Sequence, residues 1–517
     1  MTRTVVIGLD GANWDLIGPW LEQGDLPNVK TLLESGVHGE SHSYIPPVTV
    51  PNWKCYSTGK NPGKLGVYRF DHLDVKEHEY VFHHSYDFDS AELWDYLNDE
   101  GYTTGVVNMP TTYPPREIDG FMICGGPDAR QSEYRMLEDT YTHPESLQET
   151  LEEEYDYDIH PKPLISSNDE RGEEVDAIHR LINLRFQVAY DLLEEKEVDF
   201  LHVTSFYSNT LQHFFWQEDP VYEAWQIFDE HIGRFLELED TNVVMMSDHG
   251  CVDIDNLVYI NNWLIENGYL ALQTSVDDVL RNTGLTKERV LRIAKTFGLT
   301  DFLAKAVPDR IQTLVPWEEG VRGQRTFEKI DWDETVAVAN TQGLVYLTVD
   351  RDDPQYDEFR AEIKGGLEGL KTPEGIPVVE QMHTYEELYD GDHLNKAPDL
   401  VAHQTDGIHM SEATGVDGIH HDTGRWEAEN IPPGIFAATG PDITETGDLG
   451  QMKISDIAPT ILGLMDCAVP TDMDGEPQPI FDGTLEERSP IPSPHGDTEA
   501  QEDDEVRERL EDLGYLN

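Results

Sequence analysis

Several short runs in this 517-residue sequence combine carboxylates, imidazoles and carboxamides in ways that suit a bound cation. Asp10-Gly11 closes the apolar run Val5-Val6-Ile7-Gly8-Leu9, and Ser247-Asp248-His249-Gly250 closes Val243-Val244-Met245-Met246. A third run at 200–204 leads to Asn209 and His213, and His420-His421 stands in a loop ahead of an apolar stretch at Gly434. Carboxylate and imidazole are the usual ligands of Zn²⁺ or Mn²⁺. Taken singly, most of these are weak. Asp10-Gly11 reads as a turn, and a histidine beside Phe214, Phe215 and Trp216 is more often packed than ligating. The Asp248-His249 pair is stronger, because a buried strand that ends in two ionisable groups costs desolvation without helping the core. The combination decides: ligand-type residues on four loops at one sheet edge are hard to explain by packing alone.

The elements that would position them alternate. Short apolar strands at 5–9, 104–108, 200–204 and 243–246 are interleaved with helical periodicity after Pro27, at 90–97 with Ser90 as N-cap, at 175–193 and at 222–236. Strands alternating with amphipathic helices predict an α/β fold, a mostly parallel sheet with helices on both faces, and ligands at the carboxyl ends of the strands. Strands resume at 335–339 and 343–349 and continue through 399–401 and 434–439, before a last helix at 455–464. Between 277 and 319 the pattern changes to short helical segments, so residues 271–333 are expected to form an inserted helical cap. The core then comprises 1–270 and 334–482, and the polar stretch 483–517 is a linker with a short tail helix.

Charge narrows the setting. Lys and Arg number 36 against 102 Asp and Glu, a formal net charge of −66 spread along the chain. Such a surface repels itself at low salt, whereas a Debye length of about 3 Å in molar salt removes most of the penalty. The composition is read as adaptation to a salt-rich, halophilic cytoplasm. No basic patch favours nucleic acid or an anionic membrane as partner. Four dispersed cysteines without CxxC, and no apolar stretch long enough to span a bilayer, fit a reducing, cytoplasmic location. The sequence is silent on oligomeric state.

Longer motifs carry a resemblance. The run Pro46-Pro47-Val48-Thr49-Val50-Pro51-Asn52-Trp53, with Ser57-Thr58-Gly59 and Pro62-Gly63, resembles the nucleophile segment of the type I phosphodiesterase/nucleotide pyrophosphatase group. Asn108-Met109-Pro110, Gln212-His213-Phe214-Phe215-Trp216, Ser247-Asp248-His249-Gly250, Asp456-Ile457-Ala458-Pro459-Thr460 and Asp472-Met473-Asp474-Gly475 are similar to the phosphohydrolase/phosphomutase branch of the alkaline phosphatase superfamily. The resemblance spans nearly the whole chain. It implies an alkaline-phosphatase-like core, a small-molecule phosphate ester as substrate, and hydrolysis of phosphodiesters or phosphomonoesters through a phospho-threonine at Thr49. It further implies two divalent ions, Zn²⁺ with Mn²⁺ or Mg²⁺ as alternatives. Asp10, Thr49, Asp248 and His249 would surround one; Asn209, His213 and a histidine of the 420–421 pair would hold the other.

The sequence also departs from that pattern. Asn209 stands where relatives usually carry aspartate, which predicts a weaker second site. Leu65 and Phe70 replace a histidine and a substrate-binding asparagine, which argues against nucleotide specificity. His421 is preferred over His420 as ligand, with His409 a more distant third. Asn52 and the cations Lys64 and Arg69, beside Lys54 and Lys60, are candidates for substrate contact, although ion pairing to acidic neighbours explains the cations equally well. A sulfatase is disfavoured, since Thr49-Val50-Pro51-Asn52-Trp53 lacks both the convertible cysteine or serine and the arginine that chemistry needs. A phosphomutase, or a metal-binding relative without turnover, are the alternatives.

Overall fold

The computed structural model describes residues 2–88, 90–126, 140–161, 172–273, 329–414, 418–483 and 485–494. Its centre is a nine-stranded sheet in which Arg3–Leu9 lies between Phe200–Ser205 and Thr241–Met246, parallel to both. Thr104–Val107 and Gly120–Ile123 extend the parallel part beyond Phe200–Ser205. On the other side Pro433–Thr439 runs antiparallel between Thr241–Met246 and Val37–His42. Every residue from Thr4 to Leu9 is buried, on both sides of the pleat, so the central strand is covered on both faces.

The covering helices follow from their apolar spacing. Asp219–Leu236 buries Trp225, Phe228, Ile232 and Phe235, one stripe at steps of three and four. It packs with Gly172–Lys196 and with Pro27–Ser35, which starts on its own proline. A second group joins Thr49–Thr58, Leu93–Asp99 and Ile457–Leu464. The helix at Leu93–Asp99 is capped by Glu92 and Asp95 rather than by Ser90, whose hydroxyl instead accepts from Lys60. Glu92 can take that place because Lys54 and Arg116 neutralise it there.

One expectation about organisation changes. The strands Ala337–Asn340, Leu344–Leu347, Val379–Thr384 and Leu400–Gln404 do not continue the main sheet; they form a separate antiparallel four-stranded sheet. That sheet shares its own apolar core with Ile260, Trp263, Ile363 and Leu367. Among the described residues beyond 335, Pro433–Thr439 and Gly447–Lys453 are the strands that return to the central sheet. Of the expected cap, the two ends pair with each other: Gln273 N donates to Lys329 O (2.7 Å) and Asp331 N to Ala271 O (2.8 Å). Residues 274–328, where the cap's helices are expected, lie outside the described residues, as does the tail from 495 onward. Among the described residues no helix is long and apolar enough to cross a membrane.

Candidate metal centre

Because Arg3–Leu9 and Thr241–Met246 are adjacent and parallel, with Gly8 opposite Met246, the residues just past their ends meet. Those residues are Asp10 and Asp248. The turn after Asp10 needs a left-handed residue and has one in Gly11 (φ 75°). Gly11 N donates to Asp248 Oδ1 (3.2 Å), and Ser247 Oγ bridges the loops by donating to Ala12 O (2.7 Å) and accepting from Ile435 N (2.8 Å). His249 is fully buried, and its Nδ1 donates to Gly250 O (3.0 Å). That bond fixes the tautomer and leaves the Nε2 lone pair facing the carboxylates, 3.1 Å from Asp248 Oδ2 and 3.6 Å from Asp10 Oδ1.

These groups fit a cation. Asp10 Oδ1 and Asp248 Oδ2 are buried oxygens with no hydrogen-bond partner. The ligand atoms of Asp10, Asp248 and His249 all lie within 4.8 Å of one another. Burial pushes the Asp10 carboxyl up to about 8 and Asp248 well above the usual carboxylate range, and pushes His249 down to about 3. Two desolvated carboxylates beside a neutral imidazole are costly as they stand, and the three together could hold a divalent ion.

Thr49 completes the group. It is the first residue of the helix Thr49–Thr58, and its Oγ1 lies 3.2 Å from His249 Nε2. Val48 makes no side-chain cap, so the positive end of this helix is open toward the same point. The helix is tied to the cluster by Trp53, whose Nε1 donates to Asp10 Oδ2 (3.0 Å). The indole lies over Gly8, where a Cβ would stand 2.5 Å from the ring.

Around this group the structure reassigns several expected substrate contacts. The Asn52 side chain is bonded to the backbone: its Oδ1 accepts from Tyr44 N (2.8 Å), and its Nδ2 donates to Val48 O (2.9 Å) and Pro46 O (3.3 Å). Its role is to clamp the loop ahead of Thr49. Lys64 donates to Asp474 Oδ1 (2.6 Å) and Asp472 O (2.9 Å), and Arg69 pairs with Glu412 at 3.7 Å. Lys54 is 1% exposed and donates to Glu92 Oε1 (2.6 Å). In a chain this acidic, the cations near Thr49 are taken up by neighbouring carboxylates.

The position expected for a second ion is built differently. His213, on the helix Tyr207–Phe214, donates from Nδ1 to Ala428 O (2.7 Å), and its ring stacks on Trp426 at 4.1 Å. Asn209, one turn earlier, packs onto Gly11, where a Cβ would stand 2.5 Å from its Oδ1. That oxygen accepts from Cys251 Sγ (3.0 Å), while Nδ2 donates to Asn430 Oδ1 (3.3 Å). His420 and His421 are not brought here. They pair as a short strand with Asn256–Tyr259, and His421 lies against Tyr259 (4.4 Å) with its Nε2 bonded to Gly418 O (3.1 Å). The histidine that comes nearer is His409, 5.7 Å from the Trp426 ring and bonded through Nδ1 to Glu429.

Trp53, Cys251, Trp426, Glu429 and Asn430 are the neighbours that sequence reasoning missed. Cys251 follows the Ser-Asp-His-Gly run directly and could have been suspected. Glu429 and Asn430 have no local signal, since they arrive only through the antiparallel pairing of Gly250–Asp253 with Ala428–Ile431, which sets Cys251 opposite Asn430.

Comparison with known proteins gives a consistent picture. The family model for type I phosphodiesterase / nucleotide pyrophosphatase matches residues 4–426, which include Asp10, Thr49, Asp248 and His249. Among solved structures, human ectonucleotide pyrophosphatase / phosphodiesterase 5 is similar with a TM-score of 0.50 at 12% identity, covering 93% of this chain and 100% of that one. Phosphonoacetate hydrolase from Sinorhizobium meliloti 1021, in complex with phosphonoformate, is similar with a TM-score of 0.53 at 14% identity, covering 88% and 94%. At such identities these likenesses concern the fold. No curated protein sequence matches the chain.

Proposed function

The chain belongs to the type I phosphodiesterase / nucleotide pyrophosphatase family, within the alkaline phosphatase superfamily, and is a hydrolase of phosphoric ester bonds; on that premise we propose that it cleaves phosphodiesters or phosphomonoesters of small molecules through a covalent phospho-threonine at Thr49. The observation that carries this reading is the placement of the Thr49 hydroxyl, 3.2 Å from His249 Nε2 and beside two buried carboxylate oxygens without partners.

Asp10, Asp248, His249 and the Thr49 oxygen would hold the ion. A divalent ion bound there supplies a lowered hydroxyl pKa and a counter-charge for a phosphoryl oxygen. The chain's own residues do the rest. The Thr49 hydroxyl gives its proton to water and its Oγ attacks phosphorus; the bond from phosphorus to the leaving oxygen breaks, and the alkoxide leaves with the electron pair and takes a proton from water. The open N-terminus of the Thr49–Thr58 helix directs its backbone N–H groups at the transferred phosphoryl group. Trp53 and Asn52 hold Asp10 and the loop before Thr49 in place, so the nucleophile and the ligand Asp10 move as one body. Water then attacks the phospho-threonine, releasing the phosphate product and restoring the hydroxyl.

The test is turnover of bis-p-nitrophenyl phosphate and p-nitrophenyl phosphate in molar KCl, with and without chelator, for wild type and Thr49→Ala. We expect activity on at least one ester, lost on chelation and in the variant. Turnover that survives Thr49→Ala would sink the covalent route. Turnover that survives exhaustive chelation would sink the metal centre.

A further inference from the structure

We propose that this site works with a single divalent ion, and that the place of a second ion is filled by a hydrogen-bonded network of Asn209, Cys251 and Asn430. The inference concerns the same site and takes from the proposed function only that Asp10, Asp248 and His249 bind an ion.

The donor chemistry of the second position does not fit an ion. A second divalent ion a few ångströms from the first meets strong repulsion, which anionic ligands must offset. The first position supplies two carboxylates for one ion. At the second, the His213 helix presents Asn209, a neutral carboxamide packed on Gly11. Its oxygen, the atom that would ligate, already accepts from Cys251 Sγ at 3.0 Å, and its nitrogen donates to Asn430 Oδ1 at 3.3 Å. The Cys251 thiol is taken up in the same network, with Sγ 3.0 Å from Asn209 Oδ1 and 3.5 Å from Asn430 Oδ1.

Glu429 does not restore the missing charge. Its Oε2 is bonded to His409, and its Oε1 accepts from Gln342 Nε2 and Asn430 N, both at 2.8 Å. Both oxygens are therefore committed within the protein, in contrast to Asp10 Oδ1 and Asp248 Oδ2, which have no hydrogen-bond partner. Among the described residues, Asp10, Asp248 and His249 are the one group of acidic, histidine or cysteine side chains with metal-binding spacing. The match to the family ends at residue 426, just before Glu429 and Asn430.

The experiment counts ions without reference to turnover. Metal-free protein is loaded with excess Zn²⁺ in molar KCl, passed through a desalting column, and assayed for zinc per chain by mass spectrometry. Circular dichroism confirms that each variant is folded. Wild type should retain one equivalent, His213→Ala also one, and Asn209→Asp should gain a second. Two equivalents in wild type, falling to one in His213→Ala, would overturn the single-ion inference while leaving the phosphohydrolase reading intact. No retained zinc in wild type would overturn the metal centre itself and the inference with it. Asn209→Asp remaining at one equivalent would overturn Asn209 as the residue that excludes the second ion.

Discussion

Two positions lie side by side at the carboxyl end of the central sheet, and they are finished to different degrees. At the first, Asp10 Oδ2 accepts from Trp53 and Asp248 Oδ1 from Gly11, while Asp10 Oδ1 and Asp248 Oδ2 are buried without a hydrogen-bond partner. At the second, Asn209 and Glu429 are satisfied by protein groups on every side-chain oxygen. An incompletely satisfied buried polar group is costly, so it persists where something outside the chain completes it. A fully satisfied network has no such need. Counted in hydrogen bonds, the first position keeps two buried oxygens without partners while Asn209 and Glu429 keep none, although both positions carry histidines and look alike in sequence.

The largest effect expected from breaking this contrast is at the first position. Asp248→Ala removes one of the partnerless oxygens and should weaken zinc affinity by roughly 10³-fold or more, beyond the 10–100-fold typical of residues behind the ligands. Competition with a chromophoric chelator measures it. An affinity within tenfold of wild type would mean that Asp248 is not a ligand.

Next comes the scaffold behind the nucleophile helix. Lys54, Glu92 and Arg116 form a buried charge cluster, and removing one partner strands the others at a cost of about 3–5 kcal/mol. Burial pushes the Glu92 carboxyl up, but Lys54 and Arg116 more than offset this and hold it below its ordinary range. Its stabilising contribution is thus complete above the unfolded carboxyl pKa of about 4.3 and is lost as pH falls through the lower folded value. Glu92→Gln should therefore be much less stable than wild type at pH 7, with the gap narrowing below about pH 4. Denaturant midpoints at both pH values test this, and a gap independent of pH would refute the ion-pair account.

How much of this was legible in the sequence depends on whether partners are local. Asp10 and Asp248-His249 could be read because each follows an apolar run that can only be a buried strand, and parallel neighbours put strand ends together. Thr49 was legible through its motif. The separate sheet of Ala337–Asn340 and its partners was not, since strand periodicity is the same whichever sheet a strand joins. The position of His420-His421 was not legible either: their pairing with Asn256–Tyr259 spans more than 160 residues and leaves no local mark. The partner of Lys64 was not legible for a related reason, because nothing local points to Asp474, 410 residues on, that accepts from it.

A smaller effect joins the helix to the metal position. Trp53→Phe keeps most of the ring above Gly8 but removes the N–H that Asp10 Oδ2 accepts. Zinc affinity should fall by about 10–100-fold, the range for groups that orient ligands. Turnover at saturating zinc should recover much of the loss, which a merely unfolded variant would not show. If affinity is unchanged, the indole is packing and nothing more.

The smallest effect is expected at the second position, and it is the sharpest test of the comparison. Cys251→Ala deletes the thiol that donates to Asn209 Oδ1 and leaves every ligand of the first position in place. Loss of one neutral hydrogen bond in a packed site should cost about 1 kcal/mol of stability. Zinc should stay at one equivalent, with affinity within a few-fold of wild type, because an exposed carboxamide oxygen still brings no charge to offset a second cation. Titration calorimetry reads both quantities. A second zinc equivalent appearing in Cys251→Ala would show that the thiol, rather than the missing carboxylate, keeps the position closed, and the distinction between the two halves of the site would then rest on a hydrogen bond instead of a charge.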